Sequence, residues 1–464
     1  MSGRRGRQKR QPQPSALPAP WGALPTELLV EILRHLTLTE RAVRVSRAWQ
    51  DACYAPALLR HLEIGYGFYS SDSWSVARLQ ALCTWLVRRR PAQHADGIEL
   101  NLFLPTSRHH EEPVDGFSAE AMLECACLEA CMAALAAQAG SRLQTLALYA
   151  DCIELAMGGW PAGLTSLTSL CLGNPDGKLV LSPALQGLRG LKELDLYASS
   201  GVEAEHNLPP CVTRLSWEET VGFELPDAHE DFAVLPALTS LRHLRLTDAL
   251  VPGSLHSLTW LRSLHMEALE RQEGLLPGLE AALPALQQLT ALALGSVPLW
   301  RPGLLDALNA LPRLQRLAVA CAWDGYDDEE GSSSTLPPDD LPVLPFLRRL
   351  SWLGIDGDLL MRNPHLLSAA SRLQHLWLLG DSMRRSGYGR SWRHLMKQAR
   401  QHPQLRSISL RPSCNWQGYV EPNLAWYQWH ALQALSRACP HITFHDYPFK
   451  GMTINELWLP FFAD

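Results

Sequence analysis

From Leu143 onward one short phrase keeps returning: a leucine, two residues, a second leucine, one residue, then an apolar residue. It reads LQTLAL at Leu143, LTSLCL at Leu167, LKELDL at Leu191, VTRLSW at Val212, LRHLRL at Leu241 and LRSLHM at Leu261. It continues as LTALAL at Leu289, LQRLAV at Leu314, LRRLSW at Leu347, LQHLWL at Leu373 and LRSISL at Leu405. The first three starts lie 24 residues apart, and the later gaps run from 20 to 33. A fixed short phrase at such a period marks a solenoid, in which each repeat contacts only its neighbours.

The last two apolar residues of the phrase are two apart, so they share one face of a short strand. A single repeat cannot stand alone. Each buried leucine is worth roughly 1.5–3 kcal/mol, while ordering the backbone costs on the order of 1–2 kcal/mol per residue. Neighbouring repeats must therefore cover one another, with the strands in parallel. The intervening stretches Ser182 to Gly190, Leu276 to Leu289 and Arg301 to Leu314 carry leucines at helical spacing, punctuated by Pro and Gly. They predict short helices on the outer side. The set resembles the leucine-rich-repeat family, whose LxxLxL strands line the inside of a horseshoe. The resemblance implies an α/β fold: a curved parallel sheet with short helices on the convex side, over residues 143–411. The family's usual Asn or Cys after the phrase has candidates in Asn174 and Cys321, while most repeats lack one.

Composition narrows the function. Hydrophobic residues make up 47 % and charged residues 19 %, enough for a continuous core. A net charge of -6 gives no case for nucleic acid. No apolar run of about 18 residues is present to span a membrane, and the N-terminal residues hold no apolar stretch like that of a secretory signal. The 11 cysteines form no CxxC pair and suit a reducing compartment, cytosol or nucleus. Cys125, Cys127 and Cys131 share one predicted helix but not one face, so they are expected as buried small residues rather than metal ligands.

Ahead of the repeats stands a different pattern, LPTELLVEILRHL from Leu24 to Leu36. Leu24, Leu28, Leu29, Ile32, Leu33 and Leu36 make one apolar helix face, with Pro25 in the first turn. VSRAWQ follows, with Val45 and Trp49. A module of some 40 residues rarely holds itself together without staples, so this face must be covered by the first repeat or by a partner. Leu24-Pro25, Glu27-Leu28-Leu29, Ile32-Leu33, Val45 to Trp49 and Leu59 to Leu62 together resemble an F-box, a small all-α domain placed here at residues 21–64. The stretch between Leu36 and Val45 is shorter than the family pattern. The resemblance implies a substrate-recognition subunit of a Skp–cullin–F-box ubiquitin ligase, with a Skp-type adaptor, and through it a cullin, as partners. Leu24, Pro25, Leu28, Leu29, Ile32, Leu33, Leu36, Val45 and Trp49 would form the adaptor face or its support.

Residues 1–20 are basic and Pro-rich and read as a disordered tail; RRGRQKR within it has a nuclear address as its alternative reading. Residues 65–142 are expected to hold irregular early strands and a connecting helix. Ser107 to Gly116 reads as an exposed loop. Asp324 to Asp340 carries seven carboxylates among Gly, Ser and Pro and reads as a solvated acidic loop. Residues 412–464, with Trp416, Trp426, Trp429 and Trp458, suit a final repeat and an aromatic cap over the open end of the core.

If the phrases are strands, the residues between the leucines face a partner. They are Tyr149, Glu193, Asp195, Tyr197 and Glu218, then His243, Arg245, His265, Arg316, Arg349, His375, Trp377 and Arg411. The wall runs from acidic with tyrosines to basic with histidines, and its histidines are expected to be solvated. Such an order would orient a target protein of opposite charge order. No GxSxG elbow, P-loop, HExxH or Gly-rich fingerprint is present, so the expectation is a non-catalytic receptor with no cofactor and no metal. The rival reading is a leucine-rich-repeat scaffold or sensor whose N-terminal helices only cap the solenoid.

Overall fold

Every phrase but the one at Leu347 begins a strand two residues after its first apolar residue: Thr145–Ala150 (β3) after Leu143, Ser169–Asn174 (β4) after Leu167, Glu193–Ala198 (β6) after Leu191. The computed structural model describes residues 55–65, 76–102, 119–150, 160–174, 179–199, 208–219, 235–247, 254–267, 275–295, 301–320, 341–379, 397–410 and 439–446, with isolated positions between them. Residues Leu24 to Trp49, Arg411, the Ser107 to Gly116 and Asp324 to Asp340 stretches and the four C-terminal tryptophans lie outside these.

Among the described residues, 14 strands form one parallel sheet in sequence order. The others are His61–Gly65 (β1), Gly97–Leu102 (β2), Arg214–Glu219 (β8), His243–Thr247 (β9), Ser263–Glu267 (β10) and Ala291–Gly295 (β11). Arg316–Ala320 (β12), Trp352–Asp356 (β13), His375–Leu379 (β14), Ser407–Leu410 (β15) and Thr443–Asp446 (β16) complete it. Leu179–Val180 (β5) and Val202–Glu203 (β7) pair separately. The sheet is open, with β1 and β16 at its two edges. The early strands are as regular as the rest, since β1 pairs with β2 and β2 with β3 in register. LRHLEI at Leu59 is the same phrase once more, and Leu59, Leu62 and Ile64 belong to the common core.

One register differs from expectation. β13 begins at Trp352, paired with Arg316 and His375, so its phrase is LSWLGI from Leu350 rather than LRRLSW from Leu347. Both readings satisfy the pattern, because Leu347 and Leu350 stand three apart. The 3₁₀ turn Pro345–Arg349 decides between them by burying Phe346 and Leu347 before the strand starts. Arg349 therefore lies in that turn, not on a strand.

The predicted outer elements form. Pro183–Gly187 is a 3₁₀ turn whose Ser182 hydroxyl accepts from the Ala184 amide at 3.2 Å. Leu275–Ala282 and Pro302–Asn309 are α-helices. Two longer helices, Val76–Arg89 and Ala119–Ala139, pack together near the N-terminal end, where the Gln138 amide donates to Leu86 O at 2.8 Å. Cys125 and Cys131 are buried there and Cys127 half-buried, none of them in a disulfide. Burial, with Cys83 close by, pushes the Cys131 thiol up.

Repeats are tied by a recurring backbone bond. The carbonyl just before each strand accepts from two amides of the next repeat, as Thr168 O does from Lys192 N (2.8 Å) and Glu193 N (3.0 Å). One continuous apolar cluster runs from Leu59 to Ile442 between sheet and outer turns. Helices about 10–12 Å wide outside strands about 4.8 Å apart put the sheet on the inside of the curve.

Candidate functional site

Side chains alternate across a strand, so each strand sends its leucines to the core and the residues between them to the inner face, opposite the helices. In-register pairing stacks those residues into three rows. The first holds Glu193, Arg214, His243, Ser263, Ala291, Arg316, Trp352, His375 and Ser407. The middle row holds Glu99, Ala147, Cys171, Asp195, Ser216, Arg245, His265, Ala293, Ala318, Gly354, Trp377 and Ser409. Asn101, Tyr149, Gly173, Tyr197, Glu218 and Thr247 stand in the third. Of the wall residues expected from the phrase, only Arg349 leaves this face, and Arg411 lies outside the described residues.

The rows bring an acidic group together around β6. Asp195 is flanked in its own strand by Glu193 and Tyr197, with Cys171 on one neighbouring strand. The Cys171 thiol donates to Tyr149 Oη at 3.0 Å. A Cβ on Gly173 would overlap the Tyr149 ring, so the ring lies across that glycine. Burial, then the Glu193 carboxylate, lifts Asp195 to about 6, against the pull of Arg245 and Arg214. Burial likewise raises Glu218, again opposed by Arg245. Burial and the neighbouring Asp195 push the Cys171 thiol up to about 12, and Tyr149 is raised chiefly by burial. Thr247, buried, stands beside Glu218 in register, and its Oγ1 has no hydrogen-bond partner.

Beyond β9 the face changes. His265 has no exposed surface, and burial followed by Arg245 holds its imidazole well below the usual range. It is a neutral buried ring, not the solvated histidine expected. His243 Nδ1 and Ser263 Oγ lie 2.7 Å apart across β9 and β10, and His375 Nδ1 and Ser407 Oγ repeat the bond at 2.7 Å across β14 and β15. Those histidines are oriented too. Ala293 and Ala318 are fully buried, and Trp352 and Trp377 meet edge to face with ring centroids 4.5 Å apart. A Cβ on Gly354 would come within 3.0 Å of the Trp352 ring and 3.2 Å of Ala318, so the indole roofs a floor of small residues.

The phrase-based reading missed Glu99, Cys171, Thr247 and Trp352. The first three occupy ordinary wall positions and were readable from the register; Trp352 was hidden by the slip at Leu347. Among the described residues no group of His, Cys, Asp and Glu is placed to hold a metal, and no helix is long and apolar enough to cross a membrane.

Comparison with known proteins adds the N-terminal segment. Residues 21–64 match the F-box-like family model. F-box domains generally bind a Skp-type adaptor and so a cullin. No curated protein matches the chain. Among solved structures, LegL7 of Legionella pneumophila, a leucine-rich-repeat protein, is 14 % identical over 74 % of this chain and 91 % of its own, with TM-score 0.34. The leucine-rich-repeat ectodomain of the Arabidopsis thaliana receptor kinase GASSHO1/SCHENGEN3 is 13 % identical over 77 % of this chain and 42 % of its own, with TM-score 0.30. Human 5T4 is 21 % identical over 34 % of this chain and 61 % of its own, with TM-score 0.23. At these values the fold assignment rests on the sheet itself. The described residues form an open parallel ladder of LxxLxL strands, a leucine-rich-repeat fold, behind a segment at residues 21–64 that matches the F-box-like model.

Proposed function

We propose that the chain is the substrate-recognition subunit of a Skp–cullin–F-box ubiquitin ligase, holding a target protein on the inner face of its sheet. The observation that carries this reading is the union of two parts: an F-box-like segment at residues 21–64 and, among the described residues, an open 14-stranded parallel sheet. The subunit does no bond chemistry. It supplies proximity, raising the effective concentration of target beside the ligase. F-box and leucine-rich-repeat proteins are typically adaptors of this kind. The target meets carboxylates and tyrosines near β6 and the half-buried His243, Arg316 and His375 from β9 onward. Charged groups so arranged fix the direction in which a partner lies. Such a subunit works in the cytosol or nucleus, with no nucleic acid or membrane partner.

The test is capture of a Skp-type adaptor by the full chain. Charge substitution at Leu29 and Ile32 is expected to abolish capture while the solenoid's melting stays unchanged. A wild-type chain that captures no adaptor overturns the proposal. One observation favours the rival scaffold reading: Leu59, Leu62 and Ile64, at the end of the matched segment, are built into the solenoid core. Under that reading the helices only cap the stack, and charges at Leu29 and Ile32 would destabilise the first repeats instead.

A further inference from the structure

Three carboxylates on the inner face gather around the bonded pair of Tyr149 and Cys171. Beyond burial, the charges of Asp195, Glu99 and Glu218 all disfavour the Cys171 thiolate, and Glu99 and Asp195 both reach Tyr149. The Tyr149 ring lies across Gly173 and so lines the floor between β3 and β6. Asp195 and Glu218 stand on adjacent strands, where Tyr197, two residues past Asp195, pairs with Glu218. A lateral step of about 4.8 Å and two residues of rise set those two positions about 8 Å apart.

The positive charge beside them does not match this group. Arg214 is taken by Glu193 at 3.4 Å. Arg245 opposes burial at both Asp195 and Glu218, one cation for two carboxylates. Among the described residues neither of these carboxylates has an ion pair or a hydrogen bond, and Glu99 accepts from the Asn101 amide at 3.0 Å. Asp96 and Glu280, by contrast, are matched by Arg142 at 3.0 Å and Arg301 at 2.6 Å. Thr247 adds an independent sign. It stands beside Glu218 in register, is 9 % exposed, and its Oγ1 is enclosed without a hydrogen-bond partner.

Among the described residues no group of His, Cys, Asp and Glu is placed to hold a metal ion. Carboxylates set this widely suit a polyatomic cation on a long stem. A guanidinium carries five donors in a plane and stacks on aromatic rings; an ammonium carries three donors and is drawn to the same ring faces. We propose that this part of the inner face takes a lysine or arginine side chain of an extended target segment, its charged head between Asp195 and Glu218 and its stem on the Tyr149 ring. The site deepens the receptor reading above and rests on it, naming the side-chain chemistry by which the target would be gripped. Glu99 adds a third negative charge on the far side of the ring.

The test titrates the full chain with degenerate peptide pools holding one central lysine or arginine, beside the same pools with norleucine or citrulline there, which keep the length and drop the charge. Nα-acetyl-lysine amide is titrated alongside. The cationic pools are expected to bind at least ten-fold more tightly than the neutral pools and than the small amide. Asp195→Asn with Glu218→Gln is expected to erase that preference without lowering the melting temperature at pH 7. Glu129→Gln with Asp306→Asn removes two exposed charges from the outer helices and is expected to leave the preference in place. Equal binding of charged and neutral pools overturns the proposal. So does a preference that survives the inner-face substitutions, or one lost equally in the outer-helix control. The small amide binding as tightly as the lysine pool would assign the site to a free cation and overturn it as well. Adaptor capture is measured separately on the same chain, and its failure strikes the ligase reading alone.

Discussion

On β8, Trp217 and Ser216 are neighbours in sequence and live in different worlds. Trp217 points into the core, fully buried, in the row held by Leu196 on one side and Leu246 on the other. Ser216 points to the inner face between Asp195 and Arg245. Along the core rows the residues are apolar and most often leucine, because every repeat must offer the next an apolar surface. Along the inner rows nearly every residue differs from its neighbours. The repeated positions hold the stack together; the unrepeated ones distinguish this chain from any other solenoid, and recognition has to be built from them.

The comparison breaks most visibly at Trp217. Trp217→Ala should cost about 3–5 kcal/mol through lost burial and the cavity left behind. Ser216→Ala should stay within about 0.5 kcal/mol. Chemical denaturation of the two variants checks both, and equal losses would mean that the faces are not distinct. Next comes Gly173→Ala, whose Cβ must push the Tyr149 ring away and break its bond to Cys171. Overpacking of this kind costs about 1–3 kcal/mol, and tyrosine fluorescence should report the displaced ring.

Protonation sharpens the contrast within the inner face. Asp195 rises from 3.8 to about 6 on folding. Its contribution is therefore present below pH 3.8 and lost as pH climbs through about 6. His265 is lowered on folding from 6.5, so its contribution is complete above that value and lost as pH falls below it. The two groups pull in opposite directions across mildly acidic pH. Asp195→Asn should remove the first trend, leaving a variant more stable than wild type at pH 7 and no more stable at pH 3.5. Thermal melts at the two pH values test the sign. The smallest effect belongs to the exposed Arg142–Asp96 pair at the edge of the sheet. Arg142→Gln should cost less than about 1 kcal/mol, measured by the same denaturation.

How much of this was legible beforehand follows from the same division. The phrase exposes the core rows, since Leu146, Leu170 and Leu194 are buried for the reason that they repeat. It also assigns the inner positions of most strands. It fails where two leucines three apart allow two registers, as at Leu347 and Leu350, because only the packing of the Pro345 turn chooses between them. It hides β1, because Leu59 and Leu62 fit a helical signature as well as the strand phrase. β2 is obscured for a different reason: Ala95 stands where a leucine is expected. Burial of His265 was not legible at all. It depends on neighbours on the two adjacent strands, Arg245 and Ala293 among them, and no local pattern encodes lateral contacts. The roofing of Gly354 by Trp352 is hidden in the same way.

The proposed receptor would dock a ligase through its F-box-like segment and hold a target on its sheet. Its most direct test is the mass of the assembled complex. Full-length chain mixed with a Skp-type adaptor and a cullin should elute as one species of one copy each by light scattering, and charges at Leu29 and Ile32 should return it to the mass of the chain alone. A wild-type chain whose mass stays that of the chain alone in the presence of both proteins would contradict the account.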